Sequence, residues 1–70
     1  MHKISISLSG HQTSISLEKE FFEVLKNLAA TQKTSVASII QHIDETRLPG
    51  TNLSSQIRIW ILKQLLKTPK

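Results

Sequence analysis

A short stretch near the start of the chain is almost repeated. Ser5-Ile6-Ser7-Leu8 recurs as Ser14-Ile15-Ser16-Leu17. Both copies alternate apolar with polar residues, which is the side-chain period of a β-strand. Ser9-Gly10-His11-Gln12 lies between them. A two-residue turn centred on Gly10-His11 puts Gly in the first central slot, as a type II′ hairpin requires. That turn predicts Ile6 opposite Ile15, Ile4 opposite Leu17 and Leu8 opposite Thr13, all on one side of the ribbon. The other side would carry Ser5, Ser7, Ser9, Gln12, Ser14 and Ser16, with Lys3 opposite Glu18 as a cross-strand ion pair. The expected strands are about 3–8 and 12–17. Two strands alone are marginal in water, so their apolar side has to sit on helices.

The rest of the chain supplies three. Glu18-Lys19-Glu20 places acidic residues at a helix start, where the dipole favours them. Phe21, Val24, Leu25, Leu28 and Ala29 recur at helical spacing, with Phe22 to the side of their face. This helix is expected over about 18–32. Thr34 or Ser35 then caps a second helix over about 35–46, whose apolar face is Val36, Ile39, Ile40 and Ile43. Leu48-Pro49-Gly50 is a strong breaker. Asn52, a good cap, opens the last helix, over about 53–67. Leu53, Ile57, Trp60, Ile61 and Leu65 line one of its faces. Ile59, Leu62 and Leu66 carry apolar surface well around the cylinder. A helix apolar over so much of its circumference needs cover on more than one side. A chain of 70 residues can hardly provide that alone, which argues for a dimer.

Composition narrows the class. The chain is one domain, residues 1–70, and domains this small are only marginally stable unaided. Cys is absent, so neither disulfides nor a zinc–thiolate site can support it. Hydrophobic residues make up 39%, enough to build a core rather than a disordered chain. Met1-His2-Lys3 leads into no unbroken apolar run, and no stretch approaches the roughly 18 residues of a membrane span, so the expected location is the cytoplasm. The net charge of +4 favours polyanionic partners. The excess lies in Arg58, Lys63, Lys67 and Lys70, although Lys63 and Lys67 also suit a helix C-terminus for dipole reasons alone.

Enzyme chemistry has little to work with. His2, His11 and His42 match no ligand spacing and have no Cys or clustered carboxylates beside them. His11 reads as a turn residue. Asp44 and Glu45 are adjacent, so on a helix they point apart. Trp60 reads as core rather than as a stacking platform. A chain this short holds no pocket of catalytic size. The expectation is a non-enzyme with no cofactor, no metal and no small-molecule substrate.

Three runs of sequence carry a resemblance. Gly10-His11-Gln12-Thr13-Ser14-Ile15-Ser16-Leu17-Glu18 leads into Glu20-Phe21-Phe22. Thr34-Ser35-Val36 is followed by Ile39-Ile40 and Ile43-Asp44. Asn52-Leu53-Ser54-Ser55 is followed by Arg58. In order and spacing, over roughly residues 3–66, these are similar to a subfamily of the bacterial ribbon-helix-helix DNA-binding proteins that carries an extra N-terminal strand and a third helix. The resemblance implies an α+β, mostly helical fold, an intertwined homodimer with strand 12–17 paired antiparallel to its symmetry mate. Higher assembly is compatible with it. In DNA-binding members the paired ribbon enters the major groove of double-stranded DNA, and the second helix offers its N-terminal amides to phosphate. Carried over by position, Gln12, Ser14 and Ser16 would read bases, and Lys33, Thr34, Ser35 and Val36 would hold phosphate. Ile15, Leu17, Phe21, Leu25, Ile39, Ile40, Ile43, Ile57, Trp60 and Ile61 would form the dimer interface. Relatives often place a basic side chain where this chain has Gln12 or Ser16. With strand 3–8 at each edge, the dimer sheet would have four strands, broad for a groove that takes two.

Without the resemblance, the row of Ser would read as a plain solvated sheet face, Ser35 as a cap and Arg58 as a surface or interface charge. The leading expectation is a dimeric, sequence-specific transcriptional regulator, a repressor. The second is a dimeric protein-interaction module that uses the Ser-rich sheet face or the last helix. An antitoxin ranks third, because antitoxins of this fold usually continue into a long toxin-wrapping segment, and only Thr68-Pro69-Lys70 follows the last helix here.

Overall fold

A computed structural model describes residues 2–8 and 10–67. Ser9 of the polar row and the closing Thr68-Pro69-Lys70 lie outside them. Strand β1 (His2–Leu8) and strand β2 (His11–Leu17) form an antiparallel two-stranded sheet. Helices α1 (Lys19–Thr31), α2 (Val36–Thr46) and α3 (Leu53–Lys67) follow. The fold is α+β and mostly helical, a hairpin followed by three helices.

The hairpin register differs from the one expected. Leu8 pairs with His11, Ile6 with Thr13, Ile4 with Ile15 and Lys3 with Ser16. The last pair of the hairpin is therefore Leu8 with His11, not Ser9 with Gln12 as expected, and Gly10 takes φ +81°. Gly adopts a positive φ equally well in either slot. The apolar pattern cannot tell the two registers apart, because a shift of two residues keeps every side chain on its own face. Ile4, Ile6, Leu8, Ile15 and Leu17 still point inward. The Lys3–Glu18 pair is lost. Lys3 faces Ser16, and Glu18, just outside the strand, turns to α3.

β1 lies against α2 and β2 against α3, while α1 packs on both other helices. The core between them is Leu8, Ile15, Leu17, Leu25, Ala29, Ile39, Ile40, Ile43, Ile57 and Ile61. Leu17, Leu25, Ile40, Ile57 and Ile61 are each under 2% exposed, and burying such a side chain contributes roughly 1.5–3 kcal/mol. Phe21, Val24, Leu28, Val36, Leu53 and Trp60 pack around this centre, half-buried. Phe22, beside the α1 apolar face, lies under the Lys26 ammonium, 5.2 Å from its ring centre. Leu65 departs from the expected face of α3. It is 50% exposed, beside Ile59, Leu62 and Leu66, which are also open to solvent.

The connections follow from local chemistry. α1 ends in a Schellman motif, with the Thr34 amide donating to the Ala29 carbonyl (2.9 Å) and the Lys33 amide to that of Ala30 (3.1 Å). The position that Gly usually takes is Lys33, at φ +57°. A left-handed conformation costs a residue with a Cβ roughly 1–2 kcal/mol, part of which Gly returns as chain entropy. Lys33→Gly is expected to raise stability by about 0.5–1 kcal/mol. A higher urea midpoint at an unchanged slope would show it; a lower midpoint would refute it.

Between α2 and α3, Leu48-Pro49-Gly50-Thr51 makes a tight turn. The Thr51 amide donates to the Leu48 carbonyl (3.2 Å), and Gly50 takes φ +85°. Pro before a positive-φ Gly is the signature of a type II turn. Arg47 staples this turn, bonding Asp44 through Nε (2.8 Å) and the Thr51 carbonyl through Nη1. The Asn52 side chain then caps α3 by accepting from the Ser55 amide (3.1 Å).

Candidate nucleic-acid interface

The alternation of the hairpin sends Lys3, Ser5 and Ser7 of β1, and Gln12, Ser14 and Ser16 of β2, to the face opposite the core. The register pairs them as Lys3 with Ser16, Ser5 with Ser14 and Ser7 with Gln12. Ser16 is half-buried and the other five are exposed. Among the described residues this face has one cation, Lys3, and no acid. Serine hydroxyls and the Gln amide both donate and accept, so they can address base edges of several kinds. The edge of β2 away from β1 has no strand beside it among the described residues.

The second group gathers at the start of α2. Lys33, Thr34 and Ser35 are exposed and Val36 is half-buried. Ser35, rather than Thr34, is the cap. Its Oγ accepts from the Ser38 amide at 3.0 Å and donates to the Ser38 hydroxyl at 3.0 Å. With the Ser38 amide satisfied, the amides of Val36 and Ala37 are the first-turn donors left pointing outward. The Lys33 cation sits beside them. A left-handed, non-Gly residue at such a point is the kind of local strain that functional sites retain.

The strand group and the helix group are joined through β1. Ser7, the neighbour of Gln12 across the sheet, borders one groove together with Ala37, Ser38, Gln41, His42 and the acid Glu45 of α2. The order across the surface is therefore β2, β1, then the first turns of α2. A second groove runs from Gln32 and Thr34 past Ser38 and His42 to Trp60.

The ten residues expected at a dimer interface divide in two. Ile15, Leu17, Leu25, Ile39, Ile40, Ile43, Ile57 and Ile61 are closed off within one chain, where they make its core. Phe21 and Trp60 are half-buried. Among the described residues, the large apolar side chains that remain open are Leu48, Ile59, Leu62, Leu65 and Leu66, at 44–76% exposure.

Arg58 is a residue whose partner the sequence did not reveal. Its Nε donates to Glu18 Oε1 at 2.9 Å, 40 positions away, and its guanidinium lies 5.8 Å from the Phe21 ring centre. The pair ties α3 to the junction of β2 and α1. The Arg58 hydrogen bond, followed by the residue's own backbone amide, holds the Glu18 carboxyl below its ordinary value of 4.5. A carboxyl depressed in the folded chain stabilises it above the unfolded value and loses that contribution as pH falls through the folded one. The folded chain is therefore expected to lose thermal stability as pH falls below 4.5, and Glu18→Gln should flatten this part of the profile. Melting curves from pH 6 to pH 3 test it, and parallel profiles for the two proteins would refute the assignment.

Among the described residues, no group of three or more His, Asp or Glu side chains could hold a metal ion, and no helix is long and apolar enough to cross a membrane.

The described residues form a small α+β domain in which a β-hairpin with a polar outer face precedes three helices. The chain belongs to the ribbon-helix-helix family: the family model described as a ribbon-helix-helix domain matches residues 1–65. The family is one of DNA-binding regulators rather than of enzymes. No curated protein and no solved structure matches the chain.

Proposed function

We propose that this chain is a sequence-specific transcriptional regulator, a repressor, that acts as a homodimer with its ribbon in the major groove. The observation that carries the reading is β2 itself. Its outer row, Gln12, Ser14 and Ser16, is polar and uncharged, and among the described residues no strand pairs with its far edge. An open edge pairs readily with another strand. Pairing with the β2 of a second copy makes a two-stranded reading head of groove width. The two-fold symmetry of that ribbon calls for an operator with repeated or palindromic half-sites. At the start of each α2, Lys33, the Thr34 hydroxyl and the Ser35 and Val36 amides hold flanking phosphates and fix the register on the duplex. The exposed Ile59, Leu62, Leu65 and Leu66 give a second copy apolar area to cover.

The test is fluorescence anisotropy against random-sequence and genomic duplex pools across a salt series, with sedimentation to count subunits. A dimer that binds tightly, loses affinity steeply with salt and enriches one sequence supports the reading. A dimer that binds no duplex even at low salt would replace it with the protein-interaction module.

A further inference from the structure

We propose that β1 is a phosphate-contacting flank of the reading head, with Lys3 as its charged contact. The inference rests on the reading of β2 as the groove-facing strand. In a dimer joined through β2, the sheet order is β1, β2, partner β2, partner β1. Neighbouring strands lie about 4.8 Å apart, so the two β1 strands are separated by about 14 Å. The major groove is about 12 Å wide. The inner pair fits over the base edges and the outer pair falls on the rims, where the phosphates are.

The side chains of β1 match that position. Its outward row, Lys3, Ser5 and Ser7, is exposed and consists of hydrogen-bond donors, whereas phosphate oxygens only accept. Lys3 is the sole cation of the outer face among the described residues. Its four-carbon stem carries a point charge suited to phosphate. Among the described residues the ion pairs are Arg47–Asp44 and Arg58–Glu18, and Lys3 belongs to neither. The register sets Lys3 directly across from Ser16, so the positive charge of the head stands one strand outward from an uncharged reading row. At the other end of β1, Ser7 borders a groove that takes in Ala37 and Ser38 of α2 and also the acid Glu45, so the phosphate contact falls at the Lys3 end of the strand. β1 thus bridges the base-facing strand and the proposed phosphate site at the start of α2. A sheet of four strands, too broad to insert whole, becomes a two-stranded reader with two phosphate-bearing shoulders.

Lys3→Gln separates this role from the others. Anisotropy titrations on the selected operator and on an unrelated duplex, each over a salt series, give affinity and slope together. One contact per subunit should make the slope of log affinity against log salt shallower by about 2 per dimer. The operator and the unrelated duplex should lose affinity by the same factor, leaving their ratio unchanged. Lys3→Arg should keep the wild-type slope. Circular dichroism identical to wild type would show that the hairpin persists. A wild type that binds DNA while Lys3→Gln keeps its slope would overturn the role of β1 and leave the reading of β2 intact. A loss confined to the operator would also overturn it, since Lys3 would then be reading bases. A wild type that binds no duplex would overturn both.

Discussion

Ile57→Ala is expected to leave most of the chain unfolded at 25 °C. Ile57 has no exposed surface, and it lies where α3 meets the sheet and the other helices. Truncating a buried Ile to Ala costs about 2–5 kcal/mol, part transfer and part cavity. A core in a chain of this length supplies little more than about 3–5 kcal/mol in total. The comparison is Leu66→Ala, at 76% exposure in one chain. Within a single chain that change should stay within about 0.5 kcal/mol. If a second copy covers Leu66, the cost grows and the melting temperature acquires a dependence on protein concentration. Circular dichroism during urea titration, at two protein concentrations, distinguishes these cases. An Ile57→Ala chain that melts like wild type would mean that the packing of α3 is wrongly described.

The contrast between those two residues shows what could be read from sequence and what could not. Period-two alternation placed Ile15 and Leu17 inward and Gln12, Ser14 and Ser16 outward. That assignment survived a wrong register, because parity is preserved when a strand slips by two. The cap at Asn52 and the break at Pro49-Gly50 were equally legible, since both depend on a side chain and its immediate neighbours. Three other features depend on something further away. The hairpin register was ambiguous because Gly10 suits either central slot of a turn. The left-handed residue after α1 is a Lys, and nothing about Lys announces a positive φ. The Glu18–Arg58 pair joins positions 40 apart, so Lys3 seemed the natural partner for Glu18 until the register removed it. Leu65 fell on the expected apolar stripe, yet the stripe alone could not show that it stays half open. That Gln12, Ser14 and Ser16 share one strand face, and that Lys33 to Val36 share one helix start, was legible, because they sit at fixed offsets within one element. Their connection through Ser7 of β1 was not, because it depends on which helix lies beside that strand.

Replacing Gln12 and Ser14 together by Ala is expected to abolish discrimination between operator and unrelated DNA while sparing nonspecific binding. Both side chains are exposed on the outer row of β2, so their loss should not disturb the core. Each well-made base contact contributes roughly 1–3 kcal/mol of discrimination, Gln to adenine at the upper end and Ser lower. A dimer loses both contacts twice, so operator affinity should fall by about 1000-fold or more. The affinity for unrelated duplex should hardly change, because it rests on phosphate contacts made elsewhere. The salt slope should also hold, since neither side chain carries charge. This pattern is the inverse of the one expected for Lys3→Gln, where the slope falls and the ratio stays. Measured side by side, the two variants separate reading from holding within one small sheet. If operator affinity is unchanged in the Gln12→Ala, Ser14→Ala protein, the outer row of β2 is not the reader. The polar face of the hairpin is then a solvated surface, and sequence selectivity has to come from another element or from the deformability of the DNA.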